Sequence, residues 1–421
     1  MHQQDYLGGI RQKELGKSIS FMDSFTSVSV QQTSESELLS FIVGHAQEND
    51  SSAALWRLPN NSAVHAILAN QYQRIPSASA IEELPPGFIF APFEQQTRFF
   101  LPADYSFSFE NNNLSPTEKP EEASSLNWLI EKMKAKPGPL PIRHSPSQKF
   151  TIEKDKAAFL ELVQRGIAEI ENGTFEKIVP SRTQHVALTE GFNVVDTFQR
   201  LCKLYPNALV SFVSIPGIGH WLGASPEVLV SVEDKTVFKT VALAGTKPYD
   251  ERTPLKNVAW TQKEIEEQAL VERYIISCFK KIRLREYEEH GPKTVVAGNL
   301  MHLRSDFTVD MQATNFPQLG SVMLQLLHPT SAVCGMPLNA AMDFLKKHEG
   351  YDREFYSGYL GPVNFHNNTN LFVNLRCMQL FHQQAILYAG AGVTIDSIPE
   401  QEWEETEMKF QTMLMAIQQS K

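Results

Sequence analysis

The C-terminal strand and helix constrain the fold most, because a strand with a run of small residues leads directly into an acidic helix. Residues 385–396 read AILYAGAGVTID, and their alternation predicts a strand. The small residues at 389–392 leave room for another group to approach this backbone closely, although a β-bulge would also explain them. A helix is predicted next, with Ser397 as its N-cap and Pro399 at its first helical position.

This C-terminal helix is predicted to be amphipathic and rich in glutamate. Its apolar side consists of Trp403, Phe410, Leu414 and Ile417. Glu402 and Glu405 lie together on one flank of that side, and other glutamates are spread around the helix. Periodicity alone favours a solvated acidic face at this position.

The composition indicates an ordinary globular protein and excludes some partners. The 421 residues are 42% hydrophobic, which allows one large domain or two to three smaller ones. The formal charge is -10 and the pI is near 5.7. A nucleic acid or an anionic membrane needs an extended basic face, so neither is expected as a partner. A small anionic substrate would need only local cations.

Cysteine usage and the N-terminal sequence predict a location in the cytoplasm. Cys202, Cys278, Cys334 and Cys377 are far apart and mostly in apolar contexts, which favours buried free thiols. The N-terminal residues lack the apolar core of a signal peptide, and no run approaches the ~20 apolar residues of a membrane span. We therefore expect a protein that is neither exported nor inserted.

Two regions can be distinguished along the chain. Residues 1–100 contain short alternating stretches that predict strands, with one helix near 36–46. Polar, proline-containing stretches at 110–125 and 134–148 predict mobile connections around a short helix near Trp128. No chemical motif is found in the first 100 residues, and residues 151–421 contain every candidate site residue.

The core begins with an amphipathic helix over 154–173 and a strand over 176–188. Alternation places Lys177 on one strand face with Val179 and Ser181, and a solvated edge lysine is the simpler explanation. Pro180 cannot donate a ladder hydrogen bond, so we expect an edge position or a bulge there.

A hairpin over 208–234 follows and places Glu227 behind Ser225 and Pro226 on its return strand. Partial burial among apolar neighbours would raise the pKa of Glu227 and make it a potential general acid, with a structural glutamate as an equal alternative. The next strand is predicted to end in Gly245 and Thr246, a possible anion-binding turn.

A helix predicted over 261–289 is the most informative element. Its buried side contains Val271, Ile275, Cys278 and Ile282. Helical spacing continues that side back to Glu267 and Glu264, so two carboxylates point where the helix otherwise points apolar groups. Burying paired like charges is costly without a cation, and hard oxygen ligands suit Mg2+.

Further candidates follow that helix. His328 and Thr330 come just after an apolar stretch that could be a helix or a strand, and a lone histidine is more often structural. Strands are predicted over 353–363 and 368–381. Arg376 lies beside Asn374 on the polar face of the second one, where it could hold a carboxylate by a two-point contact.

Taken together, these motifs closely resemble the chorismate-utilising enzymes over residues 150–418. The motifs are KIVPSR with Lys177, GASPE ending at Glu227, AGT at Gly245 and Thr246, the pair Glu264 and Glu267, HPTSAVCG, NLRC with Arg376, GAG at 390–392, and Glu402 with Glu405. The resemblance implies an α+β fold in which two large antiparallel sheets are stacked, with helices outside and the site in a deep cleft. It also implies that residues 1–150 are the variable N-terminal part of the same fold and residues 151–421 the chorismate-binding core.

The resemblance also implies roles for individual residues. Glu267 and Glu405 are similar to direct Mg2+ ligands, and Glu264 and Glu402 to partners that act through water. The groups similar to those that bind the substrate, chorismate, are Gly245, Thr246, His328, Thr330, Tyr356, Arg376, Gly390, Ala391 and Gly392. Lys177 would deprotonate a water molecule, and a protonated Glu227 would donate to the leaving hydroxyl.

Family members that add water keep a lysine at the position of Lys177, so the resemblance implies formation of isochorismate. A salicylate-forming enzyme, an ammonia-using enzyme with a glutaminase partner and a non-catalytic chorismate-binding protein are the alternatives. Ala244 replaces the lysine of aminodeoxychorismate-type members, which argues against a covalent aminating route. No glutaminase subunit is expected, and the chain is expected to be a monomer or a weak dimer. The sequence departs from relatives in reading KEIEEQ for KDRHEH and in having Pro180.

Overall fold

The computed structural model describes residues 34–94, 96–110, 113–115, 155–249, 254–297 and 300–418. Within these ranges the chain forms two nine-stranded antiparallel sheets and one two-stranded ladder. In spatial order the first sheet contains β7 (Asn113–Ser115), β6 (Tyr105–Glu110), β2 (Val64–Ala69), β1 (Ser52–Arg57), β10 (Leu209–Ile215), β11 (Gly219–Ser225), β19 (Cys377–Leu380), β20 (Gln384–Gly390) and β9 (Ser181–Ala187).

The second sheet contains β14 (Glu288–Ala297), β15 (Leu300–Asp310), β13 (Val237–Pro248), β12 (Val228–Glu233), β18 (Thr369–Val373), β17 (Tyr359–Val363), β4 (Gly87–Ala91), β5 (Thr97–Pro102) and β3 (Gln73–Pro76). The short ladder pairs β8 (Lys177–Ile178) with β16 (Gly335–Met336). Strands from before residue 110 therefore take part in both sheets.

The seven helices of the described ranges are α1 (Glu35–Glu48), α2 (Lys156–Glu171), α3 (Val194–Leu204), α4 (Gln262–Lys281), α5 (Leu319–Leu327), α6 (Leu338–His348) and α7 (Pro399–Ile417). Side chains of both sheets, such as Trp56, Phe88 and Trp221, form one core between them. The helices cover the outer faces, where two further cores lie. The predicted α+β fold with two stacked antiparallel sheets is confirmed.

Several predicted elements have different boundaries in the structure. The helix predicted over 261–289 ends at Lys281, and its last residues belong to β14 because Arg283 turns the chain in a left-handed conformation with φ 59°. The prediction of Ser397 as an N-cap is wrong. Ile398 occupies that position with Pro399 next, while the Ser397 hydroxyl accepts a hydrogen bond from the Thr394 amide.

The strand predicted over 385–396 ends at Gly390. The apolar stretch before His328, which could have been a helix or a strand, is the helix α5. The predicted helix around Trp128 lies outside the described residues. Among the described helices, none combines the length and apolar character that crossing a membrane requires.

The chain passes from one sheet to the other at two neighbouring points, and both were predicted as uninterrupted strands. Glu227 lies between β11 of the first sheet and β12 of the second, and Arg376 lies between β18 and β19. Strands β11 and β19 pair with each other in the first sheet, and strands β12 and β18 pair with each other in the second sheet. The Val373 amide bonds to the Glu227 carbonyl at 3.0 Å, so the two crossings are held side by side.

Arg376 adopts φ 47°, which breaks the predicted alternation. The expectation that it lies on one face of a continuous strand is therefore wrong. Instead, both Glu227 and Arg376 project from the point where the sheets separate, and this geometry creates the cleft described below.

Candidate active site

A polar cleft lies where the two sheets separate, and most of the predicted site residues line it. About 620 Å3 of space lies between its atoms, a figure that includes open solvent. The predicted residues on its wall are Glu227, Gly245, Thr246, Glu267, Tyr356, Arg376, Gly390, Gly392 and Glu405. The sequence positions of these residues span 179 places, so the fold brings together groups from all parts of the core.

Lys177 lies in the short strand β8 directly behind the cleft. Its side chain is completely buried, so the simpler explanation of a solvated edge lysine is wrong. The ammonium group donates to Glu267 Oε1 at 2.9 Å. The Lys177 Nζ atom is thus held within hydrogen-bond distance of a carboxylate oxygen.

The break in the strand at Pro180 explains how Lys177 reaches this position. The predicted strand over 176–188 is divided into β8 and β9, and β8 leaves the first sheet to pair with β16. Pro180 has no amide hydrogen to donate, so a continuous ladder would be interrupted there in any case. The expected irregularity at Pro180 is confirmed, and it directs Lys177 under the cleft.

Glu227 is buried at 4% exposure where the chain changes sheets. Burial raises the pKa of its carboxyl to about 7, and the nearby charges of Lys177, Arg376 and Lys409 oppose that rise. The Thr330 hydroxyl also favours the charged form, although it makes no hydrogen bond of standard geometry. Glu227 can therefore exist as a neutral acid near pH 7, as the sequence predicted.

Three glutamates on α4 and α7 lie near Lys263, and each contacts a lysine. Glu267 bonds to Lys177, Glu405 accepts from Lys409 at 2.6 Å, and Glu402 accepts from Lys263. The pKa of Lys263 is raised because, although burial acts to lower it, Glu402, Glu405 and Glu267 all favour its charged form. These three carboxylates therefore share one electrostatic environment.

Glu402 is not part of a solvated acidic face, although Glu400 and Glu404 of the same helix are exposed. Its residue is completely buried, which contradicts the interpretation that periodicity favoured. Burial and repulsion from Glu405 raise the pKa of Glu402 to about 7, against the attraction of Lys263. A hydrogen bond from the Ser397 side chain also favours the charged form of Glu402 and so opposes the rise.

Glu264 behaves differently from the other three. It completes a capping box at the start of α4, where its carboxylate accepts from the Thr261 amide at 2.7 Å, and Lys247 lies 3.8 Å away. Glu267 and Glu405 line the cleft, whereas Glu264 and Glu402 lie behind it. Within the described ranges, no three acidic, histidine or cysteine side chains converge on a single ready-made metal position.

Two glycines make the close packing around these groups possible. A Cβ atom at Gly392 would lie 2.1 Å from Glu267 Oε1, so a side chain there would displace the carboxylate that Lys177 contacts. The prediction that another group approaches this small-residue stretch is thus confirmed, and that group is a carboxylate. Gly245 adopts φ 67° at a register shift within β13, and not at the end of the strand as predicted.

Arg376 is oriented by a histidine that sequence reasoning missed. His302 of β15 donates from Nδ1 to the Gly245 carbonyl at 2.7 Å, and its Nε2 accepts from Arg376 at 3.4 Å. This tautomer is assigned from the hydrogen bonds. Burial and the charge of Arg376 lower the pKa of His302 to about 3, so the ring is neutral. A histidine within the apolar run LMHL of β15 was the available signal.

Lys409 is the second residue that was missed. It lies one helical turn after Glu405 in α7 and donates to the Gly390 carbonyl at 2.7 Å. Its spacing of four from Glu405 was a recognisable pairing signal. With Arg376, it adds a second cation to the wall of the cleft.

Three predicted substrate residues do not line the cleft. His328 faces the other side of its loop, where its Nε2 lies 3.3 Å from the Pro92 carbonyl oxygen. Thr330 lies behind the wall near Glu227. The Ala391 amide already donates to the Pro180 carbonyl at 3.1 Å. The binding roles of these three residues remain predictions.

A cleft lined by an arginine, a lysine, carboxylates and a buried carboxyl of raised pKa is typical of an enzyme active site. Comparison with known proteins gives the particular family. A sequence model of the chorismate binding enzymes matches residues 95–418, and the chain belongs to this family.

Individual relatives agree with the family assignment. The isochorismate synthase DhbC of Bacillus subtilis (strain 168) is 29% identical over 267 residues, which is 61% of this chain and 66% of the relative. The isochorismate synthase EntC of Escherichia coli (strain K12) is 29% identical over 265 residues, 62% of this chain and 67% of the relative. The chain therefore aligns with about two thirds of the length of these relatives.

A solved structure supports the fold. The menaquinone-specific isochorismate synthase MenF from Escherichia coli superimposes with a TM-score of 0.65 at 20% identity, covering 87% of this chain and 89% of that chain. At this identity the similarity concerns the architecture alone.

Proposed function

We propose that this protein is an isochorismate synthase that converts chorismate to isochorismate. Water adds at ring carbon 2, the hydroxyl on carbon 4 leaves, and the double bonds shift between these carbons. The observation that supports this most is the placement of Lys177 and Glu227 at one cleft, with a buried lysine amine and a carboxyl that can be neutral near pH 7. Addition of water needs a base and loss of hydroxide needs an acid.

Each of the two groups would move one proton. Once its ammonium group has lost a proton, the amine of Lys177 would take a proton from the attacking water, and the carboxyl of Glu227 would give a proton to the departing oxygen. The result is isochorismate and one water molecule, with Lys177 protonated and Glu227 ionised. Transfer of a proton back from Lys177 to Glu227, directly or through solvent, restores the enzyme.

The cations of the wall would hold the carboxylates of chorismate. Arg376 offers a planar fork, which matches a carboxylate in a two-point contact. His302 holds that fork from the side through its Nε2 atom. Lys409 faces the cleft at the turn formed by Gly390, where a second carboxylate could be received.

The carboxylates of α4 and α7 fit Mg2+ in chemistry, because they supply only hard oxygen donors. We propose that Glu267 and Glu405 hold the ion directly, since they line the cleft, and that Glu264 and Glu402 support it through water. When bound, Mg2+ would supply positive charge for a substrate carboxylate. The lysines that now contact Glu267 and Glu405 would have to yield those oxygen atoms.

Addition of Mg2+ is expected to raise the melting temperature, because the ion relieves the repulsion between Glu402 and Glu405. If Mg2+ binds only the folded protein, a concentration of about 100 times the dissociation constant contributes ~2.7 kcal/mol to the free energy of unfolding. Differential scanning calorimetry of the purified chain with and without Mg2+ measures this.

The matched variants for that experiment lie on the same helix. Glu405→Gln should lose most of the shift, whereas Glu404→Gln should keep it because Glu404 is exposed on the outside of α7. An equal melting temperature with and without saturating Mg2+ in the unmodified protein would contradict the proposed metal site.

One assay tests the function itself. Purified protein is incubated with chorismate and Mg2+, and the products are identified by mass and fluorescence. Isochorismate without pyruvate is expected. Release of pyruvate would instead indicate salicylate formation, turnover that requires glutamine and a second protein would indicate an ammonia-using enzyme, and binding without conversion would indicate a non-catalytic protein.

A further inference from the structure

A buried ion pair lies directly behind the cleft and connects the segments that form its wall. Glu349 follows α6, and Arg353 lies one turn further along the chain; each is 3% exposed. Arg353 donates to both carboxylate oxygens of Glu349, from Nε and from Nη2, at 2.7 Å each. Neither residue lines the cleft.

Arg353 also bonds to two backbone segments that do line the cleft. Its Nη1 donates to the Val333 carbonyl at 2.8 Å, and its Nη2 donates to the Val179 carbonyl at 2.7 Å. Val179 and Val333 are part of the cleft wall. One guanidinium therefore connects the segment after Lys177 to the loop that follows α5.

Glu349 completes the connection on the other side of Pro180. Its Oε1 accepts from the Ser181 amide and from the Ser181 hydroxyl, both at 2.6 Å. The Val179 carbonyl and the Ser181 amide flank the proline at which β8 leaves the first sheet. In an unbroken strand, a neighbouring strand would satisfy these two groups. Here, a pair of oppositely charged side chains does so.

We propose that Glu349 and Arg353 are positioning residues. They hold the segment from Lys177 to Ser181, and the part of the cleft wall that contains Val333, in the arrangement that turnover requires. This inference rests on the proposed function of Lys177. The reason is geometric, because Lys177 lies only two residues before Val179. The other backbone amide and carbonyl groups of residues 178–180 bond to Cys334, Val393 and Ala391, which lie outside the large sheets. Loss of the Arg353 guanidinium would allow residues 177–181 to shift relative to Glu227.

The test separates positioning from folding by conserving charge. Arg353→Lys keeps a cation facing Glu349, but a single ammonium cannot reproduce the fork that serves Glu349, Val179 and Val333. We expect kcat for consumption of chorismate to fall by about tenfold to 100-fold, because small displacements of a catalytic group are costly. The dissociation constant of chorismate, whose carboxylates are held elsewhere, should change by less than about threefold.

A second variant covers the case in which Arg353→Lys does not fold. Glu349→Gln combined with Arg353→Met removes both charges together, so no buried charge remains unpaired. It should show the same split between kcat and binding. The matched control is Arg57→Met, which removes another buried guanidinium, one that donates to the backbone carbonyls of Leu58, Tyr205 and Pro206. The control should lower the melting temperature and leave kcat unchanged.

The outcomes are distinct. The proposal would be overturned if the folded Arg353→Lys protein or the double variant had a lowered melting temperature and an unchanged kcat. That is the behaviour expected of a residue with a purely structural role, such as Arg57. A tenfold or greater loss of kcat in the control as well would also overturn it. Because the assay follows chorismate consumption, a wild type that forms another product contradicts the proposed function alone, and a wild type that consumes no chorismate overturns both.

Discussion

Lys177→Gln is expected to abolish most turnover while the protein still folds. The amide of glutamine can donate to Glu267 as the ammonium does now, so the buried carboxylate keeps a hydrogen-bond partner. It cannot accept a proton from water at neutral pH. Loss of a general base typically costs 10²-fold to 10⁴-fold, so we expect kcat to fall by about that factor. Steady-state kinetics with chorismate and circular dichroism on one preparation measure both properties.

The control for Lys177→Gln is Lys239→Gln, which removes a lysine from a half-exposed pair with Glu233 in the second sheet. This control should be indistinguishable from the wild type in kcat and almost so in stability, because exposed pairs contribute about 0–1 kcal/mol. Near-native turnover in folded Lys177→Gln would remove Lys177 from the proposed chemistry and leave it as a structural partner of Glu267.

Local elements were predictable from the sequence because their signals are local. The apolar spacing of α2 and the three-residue loop between β10 and β11 are set by neighbours in the chain. The apolar side of α4 likewise identified Glu267 as a candidate site residue, since a carboxylate on an apolar side needs a compensating partner. That partner, Lys177, lies 90 residues away, and no periodicity connects the two.

The sheet crossings could not be predicted in the same way. A strand that changes sheets keeps its apolar alternation on both sides of the crossing, so residues 368–381 read as one strand. The break at Arg376 is visible only as a left-handed backbone in three dimensions. Both crossings depend on the pairing of β11 with β19 and of β12 with β18, which are contacts distant in sequence.

Glu402 illustrates a second limit of sequence reasoning. On a helical wheel it belongs to an acidic flank, and solvent is the usual environment of such a flank. In the fold, the start of α4 covers it, and Lys263 from that helix contacts it. Whether a glutamate is solvated or buried thus depends on which element packs against it.

The second large effect is expected for Glu227→Gln, which should lower kcat by about 10²-fold to 10⁴-fold because the amide cannot donate a proton to the leaving oxygen. The variant has nearly the same shape, so chorismate binding should change little. The pH dependence tests the assignment more sharply than the rate. The pKa of Glu227 is about 7, and only its neutral form is a proton donor. Wild-type kcat/KM should therefore fall about tenfold per pH unit above pH 7, and this limb should be absent from the residual activity of the variant.

Stability provides the independent check on Glu227→Gln. The pKa of Glu227 is raised from 4.5 in the unfolded chain to about 7 in the fold, so the folded protein binds the proton more tightly. Its contribution to stability is fully present below pH 4.5 and is lost as pH rises to 7, a change on the order of 3 kcal/mol. The difference in free energy of unfolding between Glu227→Gln and the wild type should shift in favour of the variant over this interval. Urea unfolding at pH 4.5 and pH 8 measures it. A difference that does not depend on pH, together with an unchanged alkaline limb of kcat/KM, would show that Glu227 is ionised throughout and is not the acid.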